Sequence, residues 1–392
     1  MDGKEFVKLT AEYTEKYLKD PETFKDHLED LEKSLMEDKR GSEPMPQWQK
    51  LALFSANSVV QITDQDQIKL MALIGVKDAE MSLGASYLEG VHVDKDYKKA
   101  LFWLSRAAKN DLPMAHFCIG VIFYYAYEVS KDYKKALSSF KRSIELGVQD
   151  LEGFSGWGNT DVATFIGNIY NIGGSGVAQD LKLAFDWYSI AAKKGDAGGQ
   201  FYLGVCYDFG KGVNIDYKEA LNWYLKSAEQ GSAAAQSNLG YIYFNGRGVP
   251  QDIKVALGWY TKAAEQENLI AINWLGFASE YGYGVPQDYK MAYRWYISAA
   301  EQGYVEAQTN LGKLYLKGNG VLQDYVKAVK WLTKAAEQES GEAQLVLGIM
   351  HLKGEYFNPS KPKAAYWINL ARKNGNEQAE KLWNEEELWK YE

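Results

Sequence analysis

The segment GRGVPQD, residues 246–252, joins two apolar stretches and recurs along the chain. Related turns are GGSGVAQD at 173–180, GKGVNID at 210–216, GYGVPQD at 282–288 and GNGVLQD at 318–324. From Gly210 onward, the first glycines of these turns are 36 residues apart. A dinucleotide site would require G-x-G-x-x-G after a strand, and a P-loop would require Gly-Lys-Ser or Gly-Lys-Thr; no copy has either. A turn repeated this often is therefore a structural joint and not a phosphate site.

A glycine that follows Leu or Ile marks the repeating unit. Between the eight copies of this glycine the steps are 36, 47, 37, 36, 36, 36 and 36 residues. The anchors are Gly84, Gly120, Gly167, Gly204, Gly240, Gly276, Gly312 and Gly348. The long second step contains an insertion at residues 147–161, GVQDLEGFSGWGNTD. The chain therefore carries eight units of one repeat.

Each unit is predicted to form two helices separated by the glycine turn. In the fifth unit, AAQSNLGYIYFNG and DIKVALGWYTKAAEQE both show helical spacing of apolar residues. Asp252 is well placed to cap the second helix by accepting hydrogen bonds from its first free amides. The equivalent positions hold Asp96, Asp132, Asp180, Asp216, Asp288, Asp324 and Ser360. These side chains are predicted to be helix caps and not catalytic groups.

The second helices carry Ala four residues after the cap and, in most units, Trp three residues later. Ala256 and Trp259 are one such pair, and we expect both to lie on one face, since residues three apart are neighbours on a helix. We interpret the Trp and Tyr residues as core. One helix pair cannot bury such a face alone, so the units are predicted to stack into a solenoid.

The segment from Ala307 to Gln338 shows most of the pattern A-x-x-x-L-G-x-x-Y-x-x-G-x-G-V-x-x-D-Y-x-K-A-x-x-W-Y-x-K-A-A-E-Q-G. This pattern resembles the Sel-one-like repeat family, which is related to the tetratricopeptide repeats, and the resemblance extends over residues 64–376. It implies an all-α fold: a right-handed α-solenoid superhelix of about eight antiparallel helix pairs, with helical caps at both ends. It also implies an adaptor or scaffold that binds other proteins.

Three domains are expected from this organisation. Residues 1–63 form an N-terminal helical cap or extra domain, residues 64–376 form the solenoid with its insertion at 147–161, and residues 377–392 form a C-terminal capping helix. The second repeat departs from the pattern, because Ala126 and Glu128 replace its loop glycines and Ser139 replaces the usual Trp.

The composition of the chain limits the classes of binding partner that we expect. The net charge of −8 argues against nucleic acid and favours a basic protein or peptide, because phosphate backbones are held by clustered Lys and Arg. The chain lacks a run of about eighteen apolar residues, so no membrane insertion is expected. The first twenty residues do not resemble a secretory signal, and we expect a cytoplasmic protein. Neither a metal motif nor a cofactor motif is present; Cys118 and Cys206 are 88 positions apart.

The partner site is predicted on the first helices. Counting from the anchor glycine at 100° per residue, offsets −5, −1, +2, +3 and +6 hold the repeated core residues. Offsets −3, −2, +1, +4 and +5 point away and vary between units, and by resemblance to the tetratricopeptide arrangement they line a concave groove. Their aromatic and acidic members are the predicted binding residues: Phe117, Tyr124, Tyr125, Phe201, Tyr202, Asp208, Phe209, Tyr241, Phe244, Trp274, Phe277, Glu280 and Tyr281.

Several readings of this face remain open. The rings could bind a partner, because flat amphipathic side chains contribute large contact areas, or they could fill gaps between first helices. As a binder, the protein could be an immunity-type or regulatory protein that neutralises a toxin, or an effector delivered into a host or rival cell. A hydrolase with carboxylates in the groove is the alternative of a different class. We expect a non-enzymatic protein, because no catalytic motif is present.

Overall fold

The computed structural model describes residues 12, 16–17, 21–37, 64–148 and 161–391, which form two compact units that divide between Gly199 and Gln200. The predicted helical segment around residues 47–60 lies outside the described residues, as do Phe154 and Trp157 of the insertion.

Helices account for nearly all regular structure in the described ranges, where the only β-feature is an isolated bridge between Gly174 and Val177. The first unit contains Pro21–Glu37, Asp64–Leu73, Lys77–Glu89, Tyr97–Ala108, Pro113–Tyr125, Tyr133–Glu145, Val162–Ile172 and Leu181–Lys193. Ala197–Phe209 crosses the division between the units.

The second unit contains Tyr217–Glu229, Ala233–Asn245, Ile253–Ala264, Leu269–Tyr281, Tyr289–Glu301, Val305–Lys317, Tyr325–Glu337, Gly341–Lys353, Lys361–Lys373 and Glu377–Glu385, followed by a 3-10 turn at Leu388–Tyr391. In each unit, consecutive helices along the chain pack against each other. The predicted all-α solenoid of helix-pair repeats is therefore confirmed.

The predicted caps are confirmed in all eight second helices. Asp252 accepts a hydrogen bond from the Val255 amide at 2.9 Å, and Ser360 accepts one from the Lys363 amide at 3.4 Å. The other six aspartates make the same contact at their helix starts. Each cap partners amides that would otherwise lack an intrahelical acceptor.

The glycine turns require a left-handed backbone. Gly246, which ends the first helix of the fifth repeat, has φ of 66°. The second repeat keeps this geometry without glycine: Ala126 has φ of 62° and Glu128 has φ of 52°. Left-handed conformations are unfavourable for side chains with a Cβ, so the second repeat carries strain at both turn positions, whereas the first and eighth repeats carry it at one, with His92 and Tyr356.

The anchor glycine marks the closest approach of the two helices in each pair. A Cβ on Gly240 would lie 2.6 Å from the Tyr260 ring, and one on Gly276 would lie 2.7 Å from the Tyr296 ring. Each of these rings belongs to the residue that follows the repeated Trp of its unit. Both rings are completely buried, whereas Trp259 is only half-buried. The interpretation of Trp and Tyr as core thus holds for these tyrosines and for the completely buried Trp103, but not for the half-buried Trp259; the residue after the Trp fills the space above the glycine.

In the first unit, Pro21–Glu37 covers the start of the repeats. Its Glu32 is completely buried and accepts hydrogen bonds from Trp103 Nε1 at 2.7 Å and from Tyr87 Oη at 2.9 Å. Lys69 and Lys99 lie 3.2 and 3.0 Å from its carboxylate. Burial opposes ionisation of Glu32, but the lysines and the Trp103 hydrogen bond outweigh it and hold the pKa below its usual value.

Candidate protein-binding surface

The thirteen predicted binding residues occupy five positions on the first helices, and the structure separates them into two groups. Offsets −3 and +4 flank the anchor glycine, which faces the second helix of the same repeat. Offsets −2, +1 and +5 lie further round the helix, about 100° to 160° from the glycine. The predicted residues of the first group are buried or half-buried, and the well-exposed ones all belong to the second group.

Three predicted residues do not lie on the surface. Phe117, Asp208 and Glu280 are buried, because they stand at the offsets that flank the glycine and face the second helix. Phe117 packs between Phe140 and Phe165 at centroid distances of 5.9 Å. These residues belong to the core and are removed from the candidate surface.

The two buried carboxyl groups are partnered inside the protein. Glu280 accepts a hydrogen bond from the Tyr296 hydroxyl at 2.8 Å. Asp208 lies 3.2 Å from Nε of Arg247 and 3.4 Å from the Tyr224 hydroxyl. Burial raises the pKa of Asp208, and Arg247 opposes that shift. Each carboxyl group satisfies a tyrosine hydroxyl of its own repeat, so neither contributes a charge at the surface.

The fifth repeat lacks this carboxyl group. Phe244 stands at the position of Asp208 and Glu280, and the buried Tyr260 hydroxyl consequently has no hydrogen-bond partner. The Tyr260 ring instead stacks on Trp274 of the next repeat, with centroids 5.7 Å apart and planes 7° apart. An apolar contact thus replaces a polar one beneath the surface of these two repeats.

Above this contact lies a connected group of rings on the fifth and sixth repeats, in the second unit. Phe244 contacts Trp274 at 5.0 Å, and Trp274 contacts Phe277 at 5.4 Å. Phe277 contacts Tyr281 at 4.7 Å. We call this group the aromatic surface, and its members are Tyr241, Phe244, Trp274, Phe277, Tyr281 and Tyr283.

The outer rings of the aromatic surface are open to solvent. Tyr241 is 41% exposed, Tyr281 is 49% exposed and Tyr283 is 43% exposed. Phe244, Trp274 and Phe277 beneath them are half-buried, so the exposed rings rest on a fixed base. Sequence reasoning missed Tyr283, because it lies between the two turn glycines and the turn was interpreted only as a joint. Its difference from Arg247 and Asn319 at the same turn position was the available signal.

The neighbouring seventh repeat shows that the helix pair does not need these rings. At the positions of Trp274, Phe277 and Tyr281 it carries Asn310, Lys313 and Lys317. Lys313 pairs with Glu342 at 2.8 Å instead of joining an aromatic contact. Since the same fold is built there with polar side chains, stacking of repeats alone does not explain the rings.

Other predicted rings in the second unit are less connected. Phe201 and Tyr202 are half-buried and contact each other at 5.1 Å. Phe209 is 55% exposed, and the guanidinium of Arg247 lies over its ring at 5.2 Å. Arg247 thereby links Phe209 to the buried Asp208.

In the first unit, Tyr124 and Tyr125 end the first helix of the second repeat. The Tyr125 ring is well exposed and stacks on Tyr127 at 5.4 Å, while Tyr124 is half-buried against Phe165 at 5.4 Å. Tyr127 also stacks on Tyr97 at 4.7 Å. These rings form a smaller group of their own.

The described residues give no starting point for metal chemistry, since no group of three or more His, Cys, Asp or Glu is placed there to hold an ion. Cys118 and Cys206 are free buried thiols, and burial raises the pKa of Cys206 to about 11. None of the helices in the described ranges combines the length and apolar character that crossing a bilayer requires.

Comparison with known proteins gives one family. The sequence model of the Sel1 repeat matches eight segments of the chain: residues 77–112, 113–148, 162–196, 197–232, 233–268, 269–304, 305–340 and 341–376. The comparison with curated proteins gives no match to the chain.

Several solved structures are similar. A Sel1 repeat protein from Oxalobacter formigenes is 27% identical, with 89% of this chain and 96% of that chain covered and a TM-score of 0.58. A protective antigen of uropathogenic Escherichia coli is 28% identical, with 84% and 76% covered and a TM-score of 0.51. An immunity protein from Pseudomonas aeruginosa is 20% identical over 50% of this chain and 74% of that chain; at a TM-score of 0.36 the likeness supports no argument about function.

Proposed function

The chain belongs to the Sel1 repeat family, and we propose that it is a scaffold whose aromatic surface binds a partner protein. Sel1 repeat proteins generally mediate interactions between proteins. The observation that carries the proposal is the connected ring group on the fifth and sixth repeats, with Tyr241, Tyr281 and Tyr283 exposed above a half-buried base.

Rings held in this way suit a binding site. Tyr and Trp contribute a large contact area, lose few rotamers on binding and dominate the energetics of protein interfaces. The tyrosine hydroxyl groups can also form hydrogen bonds with a partner's backbone. Contiguous exposed apolar groups of this kind usually mark an interaction site.

A non-enzymatic role is part of the proposal. Asp208 and Glu280, the carboxyl groups predicted for the groove, are buried in different repeats and partnered by Tyr224 and Tyr296. A pair of carboxylates for hydrolysis would have to face one substrate. The arrangement of these two groups supports binding in preference to catalysis.

The basic character of the partner and the cytoplasmic setting are further parts of the proposal. The net charge of −8 favours a basic partner through long-range attraction. The two cysteines are free thiols, which agrees with a reducing compartment. If the captured partner is a toxin, its capture would support an immunity-type role in which the protein neutralises that toxin.

The proposal is tested by affinity capture from the native organism with quantitative mass spectrometry. The test variant is Tyr241→Ser/Tyr281→Ser/Tyr283→Ser, which changes only exposed rings. The matched control is Leu322→Ser/Val326→Ser, which removes exposed apolar side chains from the seventh repeat. A partner should be captured by the wild type and by the control and lost with the test variant. Equal recovery with all three proteins would refute the proposal.

A further inference from the structure

The second repeat lacks an indole that every other repeat has. Seven residues after the cap of the second helix, the other repeats carry Trp103, Trp187, Trp223, Trp259, Trp295, Trp331 and Trp367. The second repeat carries Ser139 there.

The indole at this position packs against the repeat before it. Trp259 of the fifth repeat, for example, lies against the core cluster that contains Ala228 from the fourth repeat and Leu239 from its own first helix. The ring therefore fills the space between consecutive repeats, which close packing of the interior requires.

In the first unit, the corresponding space of the second repeat is an open hollow of about 580 Å³. Ala108 and Ile119, the equivalents of Ala228 and Leu239, line it together with Ser139. The rest of its wall is polar and consists of Ser105, His116, Ser138, Lys141, Arg142 and Glu145. This volume is within the usual range for ligand pockets.

A cation is already in position for an aromatic ring. Three residues after the Trp, other repeats place a cation over the indole: Lys226 lies 4.0 Å from the Trp223 ring and Lys262 lies 4.5 Å from the Trp259 ring. Arg142 occupies this position in the second repeat. With no indole beneath it, its guanidinium pairs with Asp111 at 2.8 Å and with Glu145 at 3.2 Å.

A histidine in the wall lacks the partner that its equivalents have. His116 stands where four other repeats have Gln, and each of those glutamines accepts a hydrogen bond from a residue thirty positions later, as Gln236 does from Gln266 at 2.8 Å. The corresponding residue for His116 is the apolar Leu146, and Nε2 of His116 has no partner. Burial and the nearby Arg142 lower the pKa of His116, which keeps the ring neutral, and its Nε2 is shielded from solvent.

We propose that this hollow binds the indole of a tryptophan side chain presented by a second polypeptide. The ring takes the place of the missing Trp, between Ala108 and Ile119 and within reach of the Arg142 guanidinium. A cation is attracted more strongly to the face of an indole than to that of a phenyl ring, so Arg142 favours tryptophan over phenylalanine. The hollow opens to solvent, so the backbone of the partner stays outside. This site lies in the first unit and does not depend on the function proposed for the aromatic surface.

The test uses the full chain and N-acetyl-tryptophanamide, with binding followed by saturation-transfer NMR. The wild type should show saturable binding at least several-fold tighter than for N-acetyl-phenylalaninamide. Ser139→Trp, which fills the hollow with the residue of the other repeats, should weaken binding at least tenfold. Ser105→Leu is a second variant, for use if Ser139→Trp does not fold. It introduces the leucine that the fourth repeat has at the equivalent position 225, and it should also weaken binding.

Circular dichroism establishes that each variant is folded. Absence of binding by the wild type, a preference for the phenyl compound, or undiminished binding by folded Ser139→Trp would overturn the proposal. Binding that appears only in Trp157→Ala would also overturn it, since the hollow would then belong to an indole of this chain.

Discussion

Two buried tyrosines in the second unit occupy equivalent positions and differ in one hydrogen bond. The Tyr296 hydroxyl donates to buried Glu280 at 2.8 Å, whereas the Tyr260 hydroxyl has no partner because Phe244 replaces the carboxyl group. Tyr296→Phe removes the 2.8 Å hydrogen bond to this buried carboxyl group. We expect the free energy of unfolding to fall by about 1–3 kcal/mol, the cost of an unpaired buried polar group.

Tyr260→Phe removes a buried hydroxyl that already lacks a partner. We expect the free energy of unfolding to stay the same or rise by up to about 1 kcal/mol, since an unpaired polar group no longer has to be kept from water. Both changes delete one oxygen from a completely buried ring above an anchor glycine, so each is the control for the other.

The assay is urea unfolding followed by circular dichroism and tryptophan fluorescence, with hydrogen exchange of residues 253–304 as a local measure. Local exchange is needed because a repeat array does not always unfold in one step. Equal losses of stability in Tyr260→Phe and Tyr296→Phe, or a larger loss in Tyr260→Phe, would refute the reasoning.

Three further predictions concern stability. Ala126→Gly should raise the free energy of unfolding by about 0.5–1 kcal/mol, because glycine adopts the left-handed φ of 62° without a Cβ. Gly246→Ala should lower the free energy of unfolding for the same reason. The urea midpoint should therefore rise in the first variant and fall in the second. Gly240→Ala should cost about 1–3 kcal/mol by forcing a Cβ against the Tyr260 ring, and a melting temperature equal to that of the wild type would contradict this packing. The pKa of Glu32 is lower in the folded than in the unfolded protein, so its contribution to the free energy of unfolding is complete above the unfolded pKa and is lost as pH falls through the folded pKa. The stability of the wild type should therefore drop more steeply in acid than that of Glu32→Gln. Parallel profiles of stability against pH would argue against the buried ion pairs.

The repeat, its helix pairs and its caps could be predicted because each depends on local chemistry. Asp252 caps whatever helix follows it, and the left-handed Gly246 ends the helix before it. Both signals are read from a few adjacent residues and recur in step with the period. Because the pattern recurs in eight repeats, the bounds of the helices can be predicted even where one repeat is ambiguous.

The candidate surface could be predicted only in part. Periodicity identified one buried side of the first helix, but the anchor glycine creates a second one by drawing the Tyr296 ring close. Glu280 and Phe117 fall on that second side and are core. The exposed Tyr241 and Tyr281 do lie where the variable face was expected. A glycine contact depends on the residue opposite it in space, which helical periodicity alone does not specify.

Site-specific photocrosslinking in the native organism tests the central claim most directly. A benzophenone amino acid at position 241 or 281 lies on the aromatic surface, and the same group at position 322 or 326 lies on an exposed part of the seventh repeat. The account predicts one discrete adduct of the same mass from 241 and 281 and none from 322 and 326. Absence of an adduct at 241 and 281, or equal adducts at all four positions, would contradict it.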